Sequence, residues 1–384
     1  MTVATPANEL RRRELAPQRA PNLRELDLLM LVTVALCCLG LVMAVSVRGS
    51  QVDVGPLQVM RQQGAKLLFG LVAFLFCAVV PMRWLRKLAM PAFAAGVVAC
   101  LLPLLSSDVN GAHRWIRYGG YQFQPVEPAR FALILAMSWL LARAGRKVTT
   151  FWHGFAPAMG CAVLLAGALA LQPDNGNAMI VLGLAGALSL VAGVRVVNFL
   201  PVVAVAVVGF VSIALQHGYV RDRVTGFLSP DPRGQVGLGL IAVGSGGLFG
   251  RGLGQGWMKM GFVPEAHNDF VFAIVAEEFG YVGSLFVLAS FSLFGYVCYR
   301  LVLQVRDPFL RNVVCGYSVM ICMQAALNLL VVSGWAPAKG IDLPFVSTGG
   351  TSLVFCLAAA GLIGNAARAD RAGTFSTAAE VEAG

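Results

Sequence analysis

Charged residues are scarce in this 384-residue sequence. They make up 12% of it, while hydrophobic residues make up 58%, whereas a soluble domain carries roughly twice that share of charge. The mean hydropathy is +0.74. This composition excludes an ordinary soluble domain. It predicts an all-α polytopic membrane protein, in which contact with lipid takes the place of a soluble core.

Metal-binding and nucleotide-binding patterns are also lacking. The four histidines form no i, i+4 pair, and the nine cysteines all lie in apolar segments without metal-ligand spacing, so a zinc site of the usual kind is excluded. No nucleotide-binding glycine loop, soluble domain or low-complexity tract is recognisable. The net charge of +10 would suit a nucleic-acid partner. The basic residues, however, cluster in short loops at segment ends, as orientation signals do, so no nucleic-acid partner is expected.

Apolar runs long enough to cross a bilayer fill most of the chain. They predict ten transmembrane helices, near 26–47, 65–81, 87–105, 126–143, 154–172, 178–193, 197–216, 280–302, 312–333 and 350–367. The membrane domain is then 26–368, between cytoplasmic tails at 1–25 and 369–384. Most basic residues fall in the tails and alternate loops that this arrangement places inside, so both termini are predicted to be cytoplasmic. A large extracytoplasmic loop, 218–280, separates helices seven and eight.

The glycine-rich stretch from Gly244 to Glu278 holds the strongest functional signal. Asp269 precedes the apolar run FVFAIVA and has no basic residue at helical spacing behind it. Desolvation there would raise its pKa and favour a role as a base, because ionisable groups near membrane depth mark functional sites by default. The alternative is a loop with helix caps and surface charges, whose glycines merely allow tight turns and close helix packing. Glu277 and Glu278 are interpreted as structural.

A second charged pair stands at the start of the fourth predicted helix. Glu127 and Arg130 are three residues apart, so on a helix they share a face and neutralise each other. A structural salt bridge and a pair that borders a cavity remain open as interpretations. The outer loops carry an excess of positive charge that suits an anionic partner such as a pyrophosphate.

Seven sequence blocks carry a resemblance to a known family. They are NGAHRWI (110–116), QPVEPAR (124–130), LQPDNGNA (171–178), FLSP (227–230), GSGGLFGRGLGQG (244–256), PEAHNDFVFAIVAEEFG (264–280) and PAKGIDLPFVSTGGTSL (337–353). In content, order and ten-span layout they resemble the signature blocks of the SEDS family (RodA/FtsW/SpoVE). The blocks NGAHRWI and YVRDR…FLSP lean toward the division-type FtsW branch.

The resemblance implies a peptidoglycan glycosyltransferase of the bacterial inner membrane, acting in division or elongation, with an extracytoplasmic active site. It would polymerise lipid II, release undecaprenyl pyrophosphate and work beside a class B penicillin-binding protein and other divisome or elongasome membrane proteins. Asp269 matches the family's essential aspartate and is the expected general base. The other expected substrate or cavity residues are Glu127, Arg130, Lys339, Arg114, Glu265 and His267. A divalent cation, magnesium or manganese, is left open, and no other cofactor is expected.

The chain departs from the family pattern at several positions. Asn268 replaces a threonine before the aspartate, Thr348 replaces a tyrosine before the last glycine pair, and Arg130 replaces a lysine. The catalytic aspartate is retained, so activity is expected. Two rival functions stay open: a flippase or transporter for the lipid-linked precursor, which the lack of an internal repeat weakens, and a non-catalytic scaffold for a penicillin-binding protein.

Overall fold

The computed structural model describes residues 23–49, 55–105, 115–118, 121–202, 233–337 and 339–373. Within these residues the fold is a bundle of ten α-helices. The helices are α1 (Leu23–Arg48), α2 (Pro56–Val79), α3 (Met82–Leu101), α4 (Val126–Ala144), α5 (Ala156–Ala170), α6 (Asn175–Val191), α7 (Gln235–Ser245), α8 (Val271–Gln304), α9 (Pro308–Val332) and α10 (Gly350–Arg371).

Seven helices in the described part of the chain are long and apolar enough to cross a membrane. The all-α membrane fold is therefore confirmed. Helix α4 is not among the seven, because its 19 residues include the charged residues Glu127, Arg130 and Arg143. Helix α6 is a shorter apolar helix. Most of the predicted seventh span, 197–216, lies outside the described residues.

Two predicted boundaries differ from the structure. Helix α2 begins at Pro56 rather than near 65, because the helix continues through a polar first part, LQVMRQQG, that a hydropathy window does not register. The described part of the predicted loop 218–280 contains α7 and the beginning of α8. A short antiparallel hairpin, β1 (Ile116–Tyr118) and β2 (Tyr121–Phe123), precedes α4 and was not predicted.

Helix α9 lies at the centre of the bundle, in contact with α4, α6, α7, α8 and α10. Small residues allow other helices to approach closely, as is usual where lipid supplies no hydrophobic drive for association. A Cβ on Gly361 of α10 would lie 2.4 Å from the backbone oxygen of Phe74 on α2. The lipid side of α2 is correspondingly apolar, with Leu68, Phe69 and Phe76 exposed.

Helix α8 is broken at Gly280, where φ is 65° and ψ is −155°. The break leaves backbone carbonyl groups of α8 without their helical hydrogen-bond donors. Backbone N–H groups of the preceding glycine-rich segment take the place of those donors. Arg251 N and Gly252 N donate to the carbonyl oxygens of Glu277 and Glu278, both at 3.0 Å. Broken helices are tolerated at membrane depth where such groups are satisfied. Gly246, Gly250 and Gly256 of this segment serve close packing, because a Cβ at each would meet Ala276, Glu277 or Glu278 of α8.

Glu277 and Glu278 complete this junction, as their structural interpretation predicts. Glu277 accepts a hydrogen bond from Trp257 N at 2.8 Å. Glu278 is buried and pairs with Lys259 Nζ at 2.6 Å, and Ser46 Oγ on α1 joins the same pair. A buried charge is tolerated when it is paired and hydrogen-bonded in this way. The segment before α8 is thereby fixed against α1 and α8.

Candidate functional site

Asp269 lies on the segment that leads into α8, immediately before the buried Phe270. Asn328, buried on the central helix α9, donates from Nδ2 to the carbonyl oxygens of Asp269 at 2.7 Å and of Ile341 at 2.6 Å. One amide thus holds two loops together, the Asp269 loop (264–270) and the last loop (339–349). Because α9 is central and well packed, the backbone of Asp269 is fixed from the core of the bundle.

The last loop adds further hydrogen bonds to the Asp269 loop. Ser347 Oγ donates to Asn268 O at 2.7 Å. Thr348 Oγ1 donates to Asn268 Oδ1 at 2.8 Å, and the backbone N–H of Thr348 donates to His267 O at 3.2 Å. Two of the positions where the chain departs from the family pattern, Asn268 and Thr348, are therefore direct partners.

The carboxyl group of Asp342 lies near that of Asp269 and acts on it electrostatically. Burial, the charge of Asp342 and the charge of Glu265 together raise the pKa of Asp269 to about 8. Burial and the charge of Glu127 also raise the pKa of Asp342, against the effects of Ser352 and Arg130. Desolvation and a like charge both disfavour ionisation, so the sequence-based prediction of a raised pKa for Asp269 is supported, with a second carboxyl group as an added cause.

Glu127 and Arg130 form the predicted ion pair at the start of α4. Arg130 donates from one terminal nitrogen to both oxygens of Glu127, at 2.6 and 2.5 Å, and both side chains are buried. The pair acts electrostatically on Asp342. It therefore borders the site through Asp342 rather than through Asp269 itself.

Lys339 begins the last loop and lies across the start of α6. A Cβ on Gly176 would come within 2.0 Å of Lys339 Cε, so the lysine passes directly over this glycine of the LQPDNGNA block. The next residue, Gly340, faces Asp269: its Cβ would lie 2.7 Å from Oδ2. Lys339 is therefore the immediate neighbour in sequence of the glycine that faces Asp269.

Glu265 and His267 belong to the Asp269 loop, and Glu265 lies on its exposed side. The side chain of Glu265 is 55% exposed, and its Oε2 lies 3.8 Å from His267 Nε2. Burial and the positive charge of Arg48 lower the pKa of His267, opposed by Glu265. Both effects favour the neutral form of His267. Arg114 lies outside the residues that the structure describes.

Three site residues were missed by sequence reasoning: Asp342, Asn328 and Lys66. Lys66 Nζ on α2 donates to Thr348 O at 2.6 Å and acts electrostatically with Asp342. A lysine at the start of an apolar run is a signal that could have identified it, because such a charge is costly without a function. Gln324 and Asn328 repeat at i, i+4 along α9, which places two amides on one helical face.

The carboxyl pair offers oxygen atoms of the kind that magnesium or manganese prefers. Among the residues described, however, no group of three or more histidines, cysteines, aspartates or glutamates could hold a metal ion.

Comparison with known proteins identifies several close relatives. The chain is 34% identical over 359 residues to a probable peptidoglycan glycosyltransferase FtsW of Geobacter metallireducens, covering 90% of this chain and 96% of the relative. It is also 34% identical over 355 residues to the stage V sporulation protein E of Bacillus subtilis, with 90% and 97% covered.

Solved structures show the same fold. A peptidoglycan synthase complex, described for its coordination of polymerization and crosslinking, contains a chain that aligns with a TM-score of 0.76 at 30% identity, covering 89% of this chain and 97% of that one. The rod shape determining protein RodA of Thermus thermophilus aligns with a TM-score of 0.67 at 28% identity, covering 89% and 96%. A family model for the cell cycle proteins FtsW, RodA and SpoVE matches residues 27–372. The chain therefore belongs to the FtsW/RodA/SpoVE family of cell cycle proteins.

Proposed function

We propose that this protein is a peptidoglycan glycosyltransferase that polymerises lipid II, with Asp269 as the general base. The observation that carries the proposal is the environment of Asp269. Its side chain is partly buried, its pKa is raised, and its backbone is fixed by Asn328. A base whose pKa approaches the working pH is suited to proton abstraction. Relatives named as peptidoglycan glycosyltransferases support the same activity.

The reaction is a single displacement. The acceptor sugar's hydroxyl oxygen attacks the anomeric carbon of the donor, the bond to the undecaprenyl pyrophosphate oxygen breaks, and the hydroxyl proton passes to the Asp269 carboxylate. The donor linkage is α and the product linkage is β, so one inversion suffices and no covalent sugar–enzyme intermediate is needed. Asp269 lowers the barrier by general base catalysis, which typically contributes about 10²–10⁴-fold.

Positive charge is the second requirement, because the leaving group carries negative charge. Lys66 lies beside Asp342 and donates to Thr348, and Lys339 lies one residue from the glycine that faces Asp269. These two lysines are the proposed pyrophosphate ligands, with Arg114 as a further candidate. Arg130 is the least suited, because its terminal nitrogen is already bound to Glu127. Its proposed role is to organise the site through Asp342.

The proposed topology places both termini in the cytoplasm and the Asp269 end of the bundle outside, facing lipid II. The chain resembles a component of a peptidoglycan synthase complex in which polymerization and crosslinking are coordinated. We therefore expect a class B penicillin-binding protein to act as its crosslinking partner.

The test is lipid II polymerisation by the purified protein with its class B partner, comparing the wild type, Asp269→Asn and Asp27→Asn. Asp27 is an exposed carboxylate on α1 and serves as the matched control. Glycan strands should form with the wild type and the control and disappear with Asp269→Asn, while partner binding persists. Equal strand synthesis by Asp269→Asn would refute the base assignment. If no protein makes strands with the partner bound, a flippase or scaffold function becomes the better explanation.

A further inference from the structure

We propose that a basic cavity at the end of the bundle opposite Asp269 binds the phosphate headgroup of an acidic phospholipid. The cavity lies between the beginning of α3 and the later part of α4, and its volume is about 310 Å³. The residues that line it are Arg83, Arg86, Lys87, Met90 and Trp139. Basic pockets between transmembrane helices are a known mode of lipid-headgroup recognition. The inference does not depend on the glycosyltransferase activity.

The cavity is remote from the candidate functional site. Helix α4 begins beside that site at Glu127, which acts on Asp342, and reaches Trp139 about 18 Å further along its axis. Helix α3 runs alongside in the opposite direction, because a Cβ on Gly96 in its later part would lie 2.9 Å from Ala129 Cα near the beginning of α4. In the proposed topology this end of the bundle faces the cytoplasm, so the ligand is a lipid of the inner leaflet.

The basic side chains of the cavity share one face of α3. Arg83, Arg86, Lys87 and Met90 follow the spacing i, i+3, i+4, i+7. Like charges four residues apart, as in Arg83 and Lys87, destabilise a helix, and positive charge is unfavourable in its first turns. Among the described residues no aspartate or glutamate lines the cavity, and neither Arg83 nor Lys87 forms an ion pair. A bound anion would relieve this repulsion, which is why the cavity is assigned an anionic ligand.

The apolar part of the lining favours a lipid over a free phosphate ion. Trp139 is half-buried, and the guanidinium carbon of Arg143 lies over its ring, 5.3 Å from the ring centroid. Tryptophan and arginine near a helix end are typical of headgroup depth in a membrane. Met90 continues the lining toward the bilayer, and α3 exposes Trp84 and Leu88 at the same level. A phosphate in the cavity would therefore have apolar surface beside it for the first carbons of the acyl chains.

A second cavity adjoins the first through Arg83, which lines both. Its volume is about 420 Å³, and it lies where α2 and α10 end. Two polar side chains of its lining are already engaged, because Asn365 donates to Val80 O at 2.7 Å and Arg368 donates to Ala78 O at 2.8 Å. They satisfy carbonyl groups at the C-terminus of α2. The second cavity therefore gives room to the polar remainder of a headgroup, such as glycerol, rather than to its phosphate.

Binding of phosphatidylglycerol to the purified full-length protein in detergent tests the proposal. This lipid should raise the midpoint of thermal unfolding of the wild type in a saturable manner, whereas phosphatidylcholine, which has no net charge, should not. The double variant Arg83→Gln/Lys87→Gln should bind phosphatidylglycerol about 25-fold more weakly, at roughly fivefold for each charge removed.

The matched control is Arg146→Gln/Lys147→Gln. It removes two exposed positive charges that follow α4 at the same end of the bundle and line neither cavity. This variant should bind phosphatidylglycerol as the wild type does. Equal weakening in the two double variants would mean that the lipid follows net charge alone, and the proposal would be wrong.

Two further measurements identify the source of the anion and do not depend on thermal unfolding. Native mass spectrometry should find phosphatidylglycerol retained by the wild type and by the control after purification, and lost from the cavity variant. Retention by all three proteins would rule out the cavity as the binding site. Inorganic phosphate at the concentration of the lipid should not displace it, because the free ion makes no apolar contacts. Displacement by phosphate as effective as that by unlabelled lipid would overturn the assignment to a phospholipid.

Discussion

Thr348 Oγ1 donates a hydrogen bond to Asn268 Oδ1 at 2.8 Å. These two residues replace the tyrosine and the threonine expected at their positions from the family resemblance, and each is adjacent to a functional element. Asn268 precedes Asp269 in the chain, while Thr348 accepts a hydrogen bond from Lys66 through its carbonyl oxygen. The two departures form one contact, which joins the Asp269 loop to the last loop.

The substitution Thr348→Val should weaken the attachment of the Asp269 loop while changing the side-chain volume little. It removes the hydroxyl and leaves Asn268 with an unpaired acceptor, so we expect a loss of about 1–3 kcal/mol in the free energy of unfolding and a several-fold fall in polymerisation. Asn268→Ala should have a similar effect. The double variant should cost less than the sum, because both changes break the same bond. Strict additivity in thermal unfolding would contradict the coupling. Thr33→Val on α1, which removes a bond to a carbonyl four residues back, is the matched control.

Sequence patterns located the blocks that resemble the family but not the contacts between them. Hydropathy marked the apolar parts of the helices, and the family blocks marked Asp269 and the pair Glu127–Arg130, which forms as the i, i+3 spacing predicts. Asp342 was visible only as one charge among many in the outer loops. Its importance comes from Asn328, on a third element, which joins two loops that are distant in sequence. Spacing along the chain carries no information about such a contact.

The break in α8 shows the same limit in the backbone. The apolar pattern predicted a helix that starts at 280, whereas the structure has helix on both sides of Gly280. The glycine is required by a positive φ and by the backbone of Gly250, which a Cβ would approach to 2.3 Å. A sequence window detects Gly280 but not the backbone of Gly250 that packs against it.

The substitution Gly280→Ala should therefore be strongly destabilising. We expect a loss of about 2–4 kcal/mol from backbone strain and overpacking together, with a lower midpoint of thermal unfolding in detergent. Gly160→Ala and Gly167→Ala on α5 are matched controls, since a Cβ at either position meets nothing within 4 Å. Alanine is the better helix former, so these variants should be as stable as the wild type or more so. Equal melting of Gly280→Ala and the controls would refute the packing argument.

The ion pair Glu127–Arg130 should behave as a buried pair. Glu127→Gln leaves the buried guanidinium of Arg130 without a countercharge and should cost about 3–5 kcal/mol of stability. Replacing both residues in Glu127→Gln/Arg130→Met should recover most of that stability, because no charge is left buried. If the double variant recovers its stability, its rate of polymerisation shows whether the pair also matters for the reaction. Failure of the double variant to recover stability would mean that the pair contributes more than mutual neutralisation.

The raised pKa of Asp269 should make the free energy of unfolding depend on pH. In the unfolded chain the carboxyl group releases its proton near its ordinary value of 3.8, whereas in the folded protein it holds the proton up to about 8. Between these values the folded state binds more protons, so the contribution of Asp269 to the free energy of unfolding falls as the pH rises. Asp269→Asn removes this effect. The variant should match the wild type below about pH 4 and become progressively more stable than the wild type as the pH rises to about 8. Thermal unfolding in detergent across this range, with Asp27→Asn as the control, measures the difference. A constant difference between Asp269→Asn and the wild type at every pH would show that Asp269 does not titrate with a raised pKa.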